Sequence, residues 1–556
     1  MEKNNKLDYK KYLKKNLSYQ KNREYLLTRN ALVTNDINTL ATNVFNPDKN
    51  LNEFLIDAQK PSFSITDQDM SGRCWIFAGL NALRRRTADN LKMSNFVFSQ
   101  TYMDFWDKYE RANTFLHKMV EKANIDLDDR DLNSELRNAG QDGGWYGYFD
   151  NLVNKYGLVP QEIMPDSFSG HNTFILNELL QILLIKATKE IRANQKDSKK
   201  QEDIIKSTLK KVLEMLVLAY GPVPTKFDWQ YQADAKKEEE NKEKDKKEED
   251  SKKSEQNKAL ENKEANKQTE ELKKQEEKDK QEFKEIKAEF SYIKGITPLE
   301  FAKEYVKYDS AEFLDLWTIG NDQDYKINQK YELKDSNNII EAANFTFLNV
   351  DKKILKLFTL ANLISKQTMW FAADVLHYRD NKTGAFDNEH FDYDALFNSD
   401  FSIDRNQQVR HHFISSNHAM AICGVDFDEQ KTLNNQKALV QKYKKTKKIN
   451  QYEFALELAN TFEFKKWRIE NSWGGKVGVK GFYYMTDSWF NDYLIDVVVS
   501  TNAADNFFAN PKFINKELID LVKQLKTKEI LKQAIESKPI LIDGYDPLGT
   551  NLKGVK

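Results

Sequence analysis

The stretch "TDQDMSGRCW", residues 66–75, contains Cys74, one of two cysteines in a chain of 556 residues. Gln68 stands six residues before it, and the following stretch, "GRCWIFAGLNALRRR", carries apolar residues on one broad face. This pattern predicts a helix that begins near Cys74 and ends at the three arginines, whose charges suit a helix C-terminus. The stretch alone leaves three roles open for Cys74: a packed core residue, a metal ligand or a nucleophile.

The composition is typical of a globular protein that is large enough for two or more packed units. Hydrophobic residues make up 40% of the chain and the formal net charge is -1, which argues against nucleic acid or an anionic membrane as a partner. Two cysteines cannot build a disulfide framework, and the N-terminal residues lack the apolar segment of a secretory signal. The longest apolar run, residues 174–187, is too short to span a bilayer. We therefore expect a cytoplasmic, reduced setting.

A segment rich in Lys, Glu and Asp interrupts the chain at residues 235–285. It cannot bury enough apolar area to offset the entropy of ordering, so it is predicted to be disordered or a solvated helix in a surface loop. The predicted units around it are an N-terminal arm at 1–60, a helix-rich subdomain with the nucleophile at 61–234, the remainder of an insertion domain with the β-rich subdomain at 286–535, and a C-terminal tail at 536–556.

Helical patterns dominate before the charged segment and strand patterns after it. Apolar residues recur at helical spacing from Phe96 to Ala123, with Ser99 as a candidate N-cap. The later apolar stretches have the lengths and the aromatic and β-branched content of strands; they are "TMWFAADV", "HAMAICGVDFD", "KKWRIENSW", "GFYYMT" and "YLIDVVVST". This order predicts an α+β protein with a cleft between a helical half and a β-rich half.

Five side chains in these stretches have the chemistry that a thiol hydrolase needs. A helix N-terminus and a neighbouring imidazole lower the pKa of a thiol, and the imidazole then protonates the leaving amine. Cys74 supplies the thiol, and His418 begins a predicted strand. Asn471 ends another strand and is a candidate to orient the imidazole, with Trp473 covering the bond between them. Gln68 is a candidate oxyanion-hole donor.

The remaining candidates for chemistry have simpler interpretations. Cys423 is interpreted as a buried core residue, the usual role of a lone thiol in a reduced protein. His411 and His412 are adjacent, but no second cluster of ligands has the spacing of a zinc site. Neither a metal nor a cofactor is therefore predicted.

The stretches around these residues resemble the papain-like cysteine peptidases, and within them the bleomycin hydrolase and aminopeptidase C family. The resemblance rests on "QDMSGRCW", "NHAMAICGV" and "ENSWGGKVGVKGFYYMTDSWF", and it extends to "FSQTYMDFWDKYERANTFL", "DGGWYGYFDNLVNKYGLVP", "ITPLEFAKEYV", "MWFAADV" and "KPILIDGYDPLG". It runs from about residue 20 to the C-terminus, apart from residues 235–285. His418 and Asn471 follow Cys74 at much more than the roughly 130–150 residues of a simple papain pattern, as the large helical insertions of this family lead one to expect.

The resemblance implies a papain-like fold of two subdomains, with large helical insertions and the active-site cleft between the halves. It implies that Cys74 is the nucleophile and His418 its base and acid. It further implies that Asn471 orients the imidazole and that Gln68 helps to form the oxyanion hole. Neither a metal nor a cofactor takes part in this chemistry.

The same resemblance implies how peptides reach the thiol. Gly143 and Gly144 correspond to a glycine pair that lines the substrate cleft, together with Trp473; without a Cβ, the backbone can approach an extended peptide. The family's C-terminal tail lies in the cleft and limits it to N-terminal residues, and the family assembles as a homohexamer. Residues after Gly549 depart from the familiar tail and add the cations Lys553 and Lys556.

The resulting hypothesis is a cytosolic cysteine aminopeptidase that removes N-terminal residues from short peptides through a Cys-His-Asn acyl-enzyme mechanism. Two alternatives stay open at this point. One is an endopeptidase with the same catalytic residues, and the other is an inactive oligomeric scaffold or binding protein.

Overall fold

The structure is a computed structural model, and it describes residues 6–44, 52–60, 62–233, 289–320 and 325–542. The charged segment predicted at 235–285 and residues 543–556 of the predicted tail lie outside the described residues.

Helices make up most of the N-terminal half, as predicted. The helices before the charged segment are α1 (Tyr9–Tyr19), α2 (Arg23–Thr34), α3 (Ile37–Ala41), α4 (Cys74–Leu91), α5 (Gln100–Glu121), α6 (Arg130–Asn138), α7 (Tyr146–Tyr156), α8 (Phe168–His171), α9 (Phe174–Ala193) and α10 (Ser198–Tyr220). Those after it are α11 (Pro298–Phe301), α12 (Lys352–Ile364), α13 (Tyr393–Phe397), α14 (Arg405–Arg410), α15 (Glu429–Tyr443), α16 (Gln451–Ala459), α17 (Asp487–Tyr493), α18 (Thr501–Ala509), α19 (Ile519–Val522), α20 (Thr527–Ile530) and α21 (Lys532–Glu536). A π-helical turn, Ala302–Val306, continues α11, and a 3₁₀ turn spans Ser310–Glu312.

Most strands lie after the charged segment and join in one mixed sheet. The strands are β1 (Ile56–Asp57), β2 (Phe227–Ala233), β3 (Glu289–Ile296), β4 (Phe313–Trp317), β5 (Gln329–Leu333), β6 (Thr346–Asn349), β7 (Met369–Ala373), β8 (Arg379–Asp380), β9 (Ala385–Phe386), β10 (His418–Phe427), β11 (Phe464–Glu470), β12 (Phe482–Thr486), β13 (Leu494–Ser500) and β14 (Ile540–Ile542). The sheet order is β14-β5-β6-β4-β13-β7-β10-β11-β12-β9-β8, with β1 beside β10, while β2 and β3 form a separate hairpin.

The central strands of the sheet separate two hydrophobic cores, because successive side chains of a strand point to opposite faces. On β7, Met369 and Phe371 pack into a core with α12 and α16. Trp370 and Ala372 face the other way, into a core built from α4, α5, α7, α9 and α10. The predicted α+β fold, with a helical half and a β-rich half, is therefore confirmed, and α4 packs against β7 and β10 at their junction.

The helix that carries Cys74 begins where the sequence predicted but extends beyond its arginines to Leu91. The predicted end is wrong because these arginines are not free cations at a helix terminus. Nη2 of Arg84 lies 2.6 Å from Oε1 of Glu470, in a buried pair that ties α4 to β11. Arg86 donates to Glu312 at 3.1 Å, just before β4.

Most other predicted elements are present. Helix α5 begins after Ser99, whose hydroxyl accepts from the Tyr102 N–H at 3.1 Å, so the predicted N-cap is confirmed. The five predicted strands correspond to β7, β10, β11, β12 and β13. Among the helices of the described chain, none combines the length and apolar composition that crossing a membrane requires.

Candidate active site

Cys74 is the first residue of α4, and the start of β10 lies beside its thiol. Burial raises the pKa of Cys74, while the backbone N–H groups of Ala419 and Trp75 act in the opposite direction. Because Ala419 directly follows His418, this contact brings the thiol next to the predicted histidine. Two residues that are far apart in sequence thus meet at the junction of the helical and β-rich halves.

His418 is held by Asn471, as the sequence predicted for these two side chains. Nε2 of His418 lies 2.9 Å from Oδ1 of Asn471, and the Ser472 N–H donates to the same oxygen at 2.8 Å. Since Oδ1 can only accept, Nε2 carries the hydrogen, which leaves Nδ1 of the imidazole free of a proton. That nitrogen is available to exchange a proton with the thiol.

Trp473 covers this pair. Its ring stacks on the imidazole of His418, with centroids 4.6 Å apart and an angle of 23° between the planes. The guanidinium carbon of Arg379 lies 5.0 Å from the Trp473 ring centroid. The indole therefore excludes water from one side of the His–Asn hydrogen bond, which strengthens it.

Gln68 is fixed between the loop that leads to Cys74 and the residue that follows Asn471. Its side-chain oxygen accepts from the hydroxyl of Ser472 at 2.7 Å, and its Nε2 donates to the carbonyl of Ser71 at 2.6 Å. The Gln68 N–H also donates to the Ser472 carbonyl at 2.8 Å. An amide nitrogen has two hydrogens, so one remains for an oxyanion.

Asp142 joins the loop before Cys74 to the predicted glycine pair, and sequence reasoning missed it. Its Oδ2 accepts from the Gly72 N–H at 2.7 Å and from Thr173 Oγ1 at 2.6 Å, and its Oδ1 accepts from Lys108 Nζ at 2.6 Å. Burial alone would raise the pKa of Asp142, but the Lys108 ammonium and these hydrogen bonds outweigh it and hold the pKa well below its usual range. The available signal was its position directly before Gly143.

Gly143 and Gly144 lie beside this carboxylate, and each needs to be glycine for its own reason. Gly143 has a φ of +90°, and its N–H donates to the Gly72 carbonyl at 3.1 Å. Its carbonyl accepts from Arg111 at 2.8 Å. A Cβ on Gly144 would lie 2.8 Å from Cε2 of Trp75, closer than packing allows. The pair therefore lies beside the loop that precedes Cys74, to which the Gly143 N–H is hydrogen-bonded.

Burial opposes a separate charge on either member of the Cys–His pair. It lowers the pKa of His418 to about 4, while the Asn471 hydrogen bond raises it and the Arg379 charge lowers it. Because burial also raises the pKa of Cys74, neither group ionises readily by itself. Proton transfer from the thiol to the imidazole creates both charges together, so that each stabilises the other.

The other candidates from the sequence lie away from this site. Cys423 is buried in β10, where its thiol faces the Arg468 carbonyl at 3.6 Å. His411 and His412 are exposed after α14. In the described ranges, no cluster of three or more His, Cys, Asp or Glu side chains is arranged to hold a metal.

The two-core fold, with a thiol at the start of α4 meeting a His–Asn pair on β10 and β11, is that of the papain-like cysteine peptidases. The chain belongs to the peptidase C1-like family, which matches residues 6–251, 245–444 and 453–549. The predicted family is therefore confirmed.

Its relatives include named aminopeptidases. The chain is 31% identical to aminopeptidase E of Lactobacillus helveticus over 440 residues, which cover 78% of this chain and 80% of the relative. It is 30% identical to aminopeptidase G of Lactobacillus delbrueckii subsp. lactis over 450 residues, covering 80% and 82%. A crystal structure of PepW from Lactobacillus rhamnosis HN001 has the same fold, with a TM-score of 0.73, 24% identity and coverage of 98% and 99%. The predicted enzyme class, a cysteine-type aminopeptidase, agrees with these relatives.

Proposed function

We propose that this chain is a cytoplasmic cysteine aminopeptidase that removes N-terminal residues from short peptides, with Cys74 as its nucleophile. The observation that carries the proposal is the His418–Asn471 hydrogen bond of 2.9 Å, formed where β10 meets the thiol at the start of α4. A scaffold protein has no need of an oriented imidazole beside a thiol, so the inactive alternative is disfavoured.

The first half of the reaction acylates the thiol. His418 takes the Cys74 proton on Nδ1, and the thiolate attacks the carbonyl carbon of the scissile peptide bond. The oxygen of the tetrahedral intermediate becomes negative and accepts from the free Nε2 hydrogen of Gln68 and from the Cys74 N–H. Losing one such donor typically lowers the rate by ~10²–10³.

The second half releases both products. The imidazolium of His418 gives its proton to the leaving nitrogen, the C–N bond breaks and the thioester remains on Cys74. A water molecule then attacks the thioester while His418 accepts its proton. The C–S bond breaks, the acid product leaves, and the proton returns to the thiol. Asn471 keeps the ring oriented through both halves.

Aminopeptidase rather than endopeptidase action is supported by the names of the relatives and by the resemblance of the tail. The described part of the predicted tail, residues 536–542, ends α21 and forms β14 beside β5. The proposal also includes the homohexamer that the resemblance implies, which sedimentation analysis would test through the mass of the assembly.

The test compares hydrolysis of free-amino and N-blocked peptides of the same sequence. We expect cleavage of the free-amino peptide and little of the blocked one, and Cys74→Ala should abolish both activities. Cys423→Ala is the matched control, because this second thiol is buried away from the site, and it should retain activity. Hydrolysis by Cys74→Ala would contradict the mechanism, whereas equal cleavage of blocked peptides would favour the endopeptidase.

A further inference from the structure

A half-buried cation adjoins the catalytic histidine without belonging to the machinery described above. Arg379 begins β8, and its guanidinium carbon lies 5.0 Å from the ring centroid of Trp473. The same indole stacks on His418 at 4.6 Å. Trp473 thus contacts both the imidazole and the guanidinium, so that Arg379 lies one aromatic ring away from the group that protonates the leaving amine.

Within the described part of the chain, this guanidinium has no carboxylate partner at ion-pair distance. The adjacent carboxylate, Asp380, is engaged elsewhere: it accepts from Thr383 Oγ1 at 2.7 Å and from the Lys382 N–H at 3.0 Å. Its Oδ2 also lies 3.1 Å from Nε2 of His390. A partly buried arginine with its fork of donors unpaired is suited to receive a planar anion, which it binds through two parallel hydrogen bonds.

The backbone before Arg379 is held in an unusual conformation. Tyr378 has a φ of +48°, a left-handed conformation that costs a bulky residue energy. Its ring packs against Tyr393 and Tyr493, with centroids 5.6 and 6.1 Å away. The aromatic cluster therefore maintains the turn that presents Arg379 towards Trp473.

Arg379 and the glycine pair adjoin different parts of the candidate site, since the guanidinium contacts the Trp473 indole and Gly143 contacts the loop before Cys74. Gly143 of the pair Gly143–Gly144 lies beside the loop before Cys74, since its N–H donates to the Gly72 carbonyl at 3.1 Å, and the acyl part of a substrate would run along this pair. The leaving nitrogen must face His418, whose ring is covered by Trp473. A carboxylate one residue beyond that nitrogen is only about 3.5 Å further along the substrate, so it stays near Trp473, the ring that contacts both His418 and the unpaired guanidinium.

We propose that Arg379 binds the C-terminal carboxylate of the leaving residue, so that the preferred substrates are dipeptides and similarly short peptides with a free carboxylate. This inference rests on the proposed aminopeptidase function and adds a substrate class to it. Arg379 is a specificity residue here, since it neither attacks the substrate nor transfers a proton.

The test uses three substrates with one acyl residue: Leu-Ala, Leu-Ala amide and leucyl 4-nitroanilide. We expect the wild type to favour Leu-Ala over its amide by about tenfold to a hundredfold in kcat/KM, the range for a charge-assisted hydrogen-bond pair. Arg379→Gln should abolish the preference: the ratio of kcat/KM on Leu-Ala to that on the amide should fall to about one, whereas the ratio between the amide and the nitroanilide should stay within about threefold of the wild type. Arg379→Lys, which keeps the charge without the fork, should retain part of the preference.

Lys476→Gln is the matched control, because Lys476 is an exposed cation shortly after Trp473, and it should keep the full preference. Thermal unfolding of each variant establishes that it is folded. An equal fall in kcat/KM on all three substrates in Arg379→Gln would show that Arg379 acts through Trp473 and His418, which would overturn the proposal. Equal kcat/KM of the wild type on Leu-Ala and Leu-Ala amide would also overturn it. Neither result affects the proposed function, which is tested separately by Cys74→Ala and by the comparison of free-amino with N-blocked peptides.

Discussion

At the scale of single residues, the candidate site is built from groups whose charges are costly when taken alone. Burial raises the pKa of Cys74 and lowers that of His418 to about 4. The activity should therefore have a bell-shaped pH dependence. Acid removes the thiolate from the pair, and alkali removes the proton from the imidazolium.

The negative charge of Asp142 should affect the pH at which activity is lost on the acid side of this profile. Its negative charge raises the pKa of Cys74, so Asp142→Asn should lower the thiol pKa and move the acid limb to lower pH. Alkylation of Cys74 by iodoacetamide, followed across pH, measures this directly. Asp89→Asn is the control, since it removes an exposed carboxylate of the same helix, and it should leave the limb in place. A limb that moved to higher pH in Asp142→Asn would contradict the assignment.

The same substitution should reduce stability, because Lys108 loses a buried charged partner. We expect a loss on the order of 2 kcal/mol at neutral pH. The folded-state pKa of Asp142 is lowered, so the wild-type advantage exists above the ordinary carboxyl pKa of about 4 and disappears as acid protonates this group. Urea unfolding at neutral and acid pH would measure the difference.

At the scale of elements, the pairing of β4 with β13 brings two buried carboxyls together. Asp315 lies opposite Val498 and Asp496 opposite Trp317, which makes the two acids diagonal neighbours. Burial raises the pKa of both carboxyls, and the negative charge of Asp315 raises the pKa of Asp496 further, so at least one of them holds a proton in the folded chain at neutral pH.

This pair should make stability fall as pH rises. The unfolded chain gives up these protons near pH 4, whereas the folded chain retains them to higher pH; the stability present below pH 4 is therefore lost as pH rises through the raised pKa. Asp496→Asn keeps the shape without the charge and should gain on the order of 1–3 kcal/mol over the wild type at pH 8, and little at pH 4. Asp520→Asn, an exposed control, should show no such gain in thermal unfolding. An equal effect of Asp496→Asn at both pH values would contradict the raised pKa of this pair.

Local patterns in the sequence predicted those elements and site residues whose signals are local. The start of α4, the cap at Ser99 and the five strands all follow from spacing and residue type. The end of α4 could not be predicted in this way, because its arginines pair with Glu312 and Glu470, which are distant in sequence. The roles of Asp142 and Arg379 likewise depend on partners brought near by the fold, and periodicity carries no information about such partners.

At the scale of the whole molecule, the two chain ends that flank the charged segment lie side by side. Ala233 of β2 and Glu289 of β3 are cross-strand partners, so the chain ends that flank the segment are already adjacent. The other end of the hairpin is buried in the helical core through Phe227 and Ile296. We therefore expect that deleting the segment leaves the positions of the candidate site residues unchanged.

Replacing residues 234–288 by Asn-Gly should close the hairpin with a tight turn. We expect kcat/KM within about twofold of the wild type, because among the described residues the contacts at Cys74, His418 and Gln68 do not involve this hairpin. The measurement is the hydrolysis rate of a free-amino peptide together with the thermal unfolding curve. A large fall in activity in a deleted but folded chain would show that the segment contributes to catalysis.

Helix α4 packs in the helical core and is also fixed to the sheet that separates the two cores, which affects how activity is lost on heating. Its apolar residues fill the helical core, its Trp75 carbonyl accepts from Trp370 at 3.2 Å, and its Arg84 is paired with Glu470 on β11. The helical half therefore cannot separate from the sheet without displacing α4, whose first residue is Cys74. Inactivation by heat should therefore coincide with cooperative unfolding of both halves, with no partly folded species that still turns over substrate.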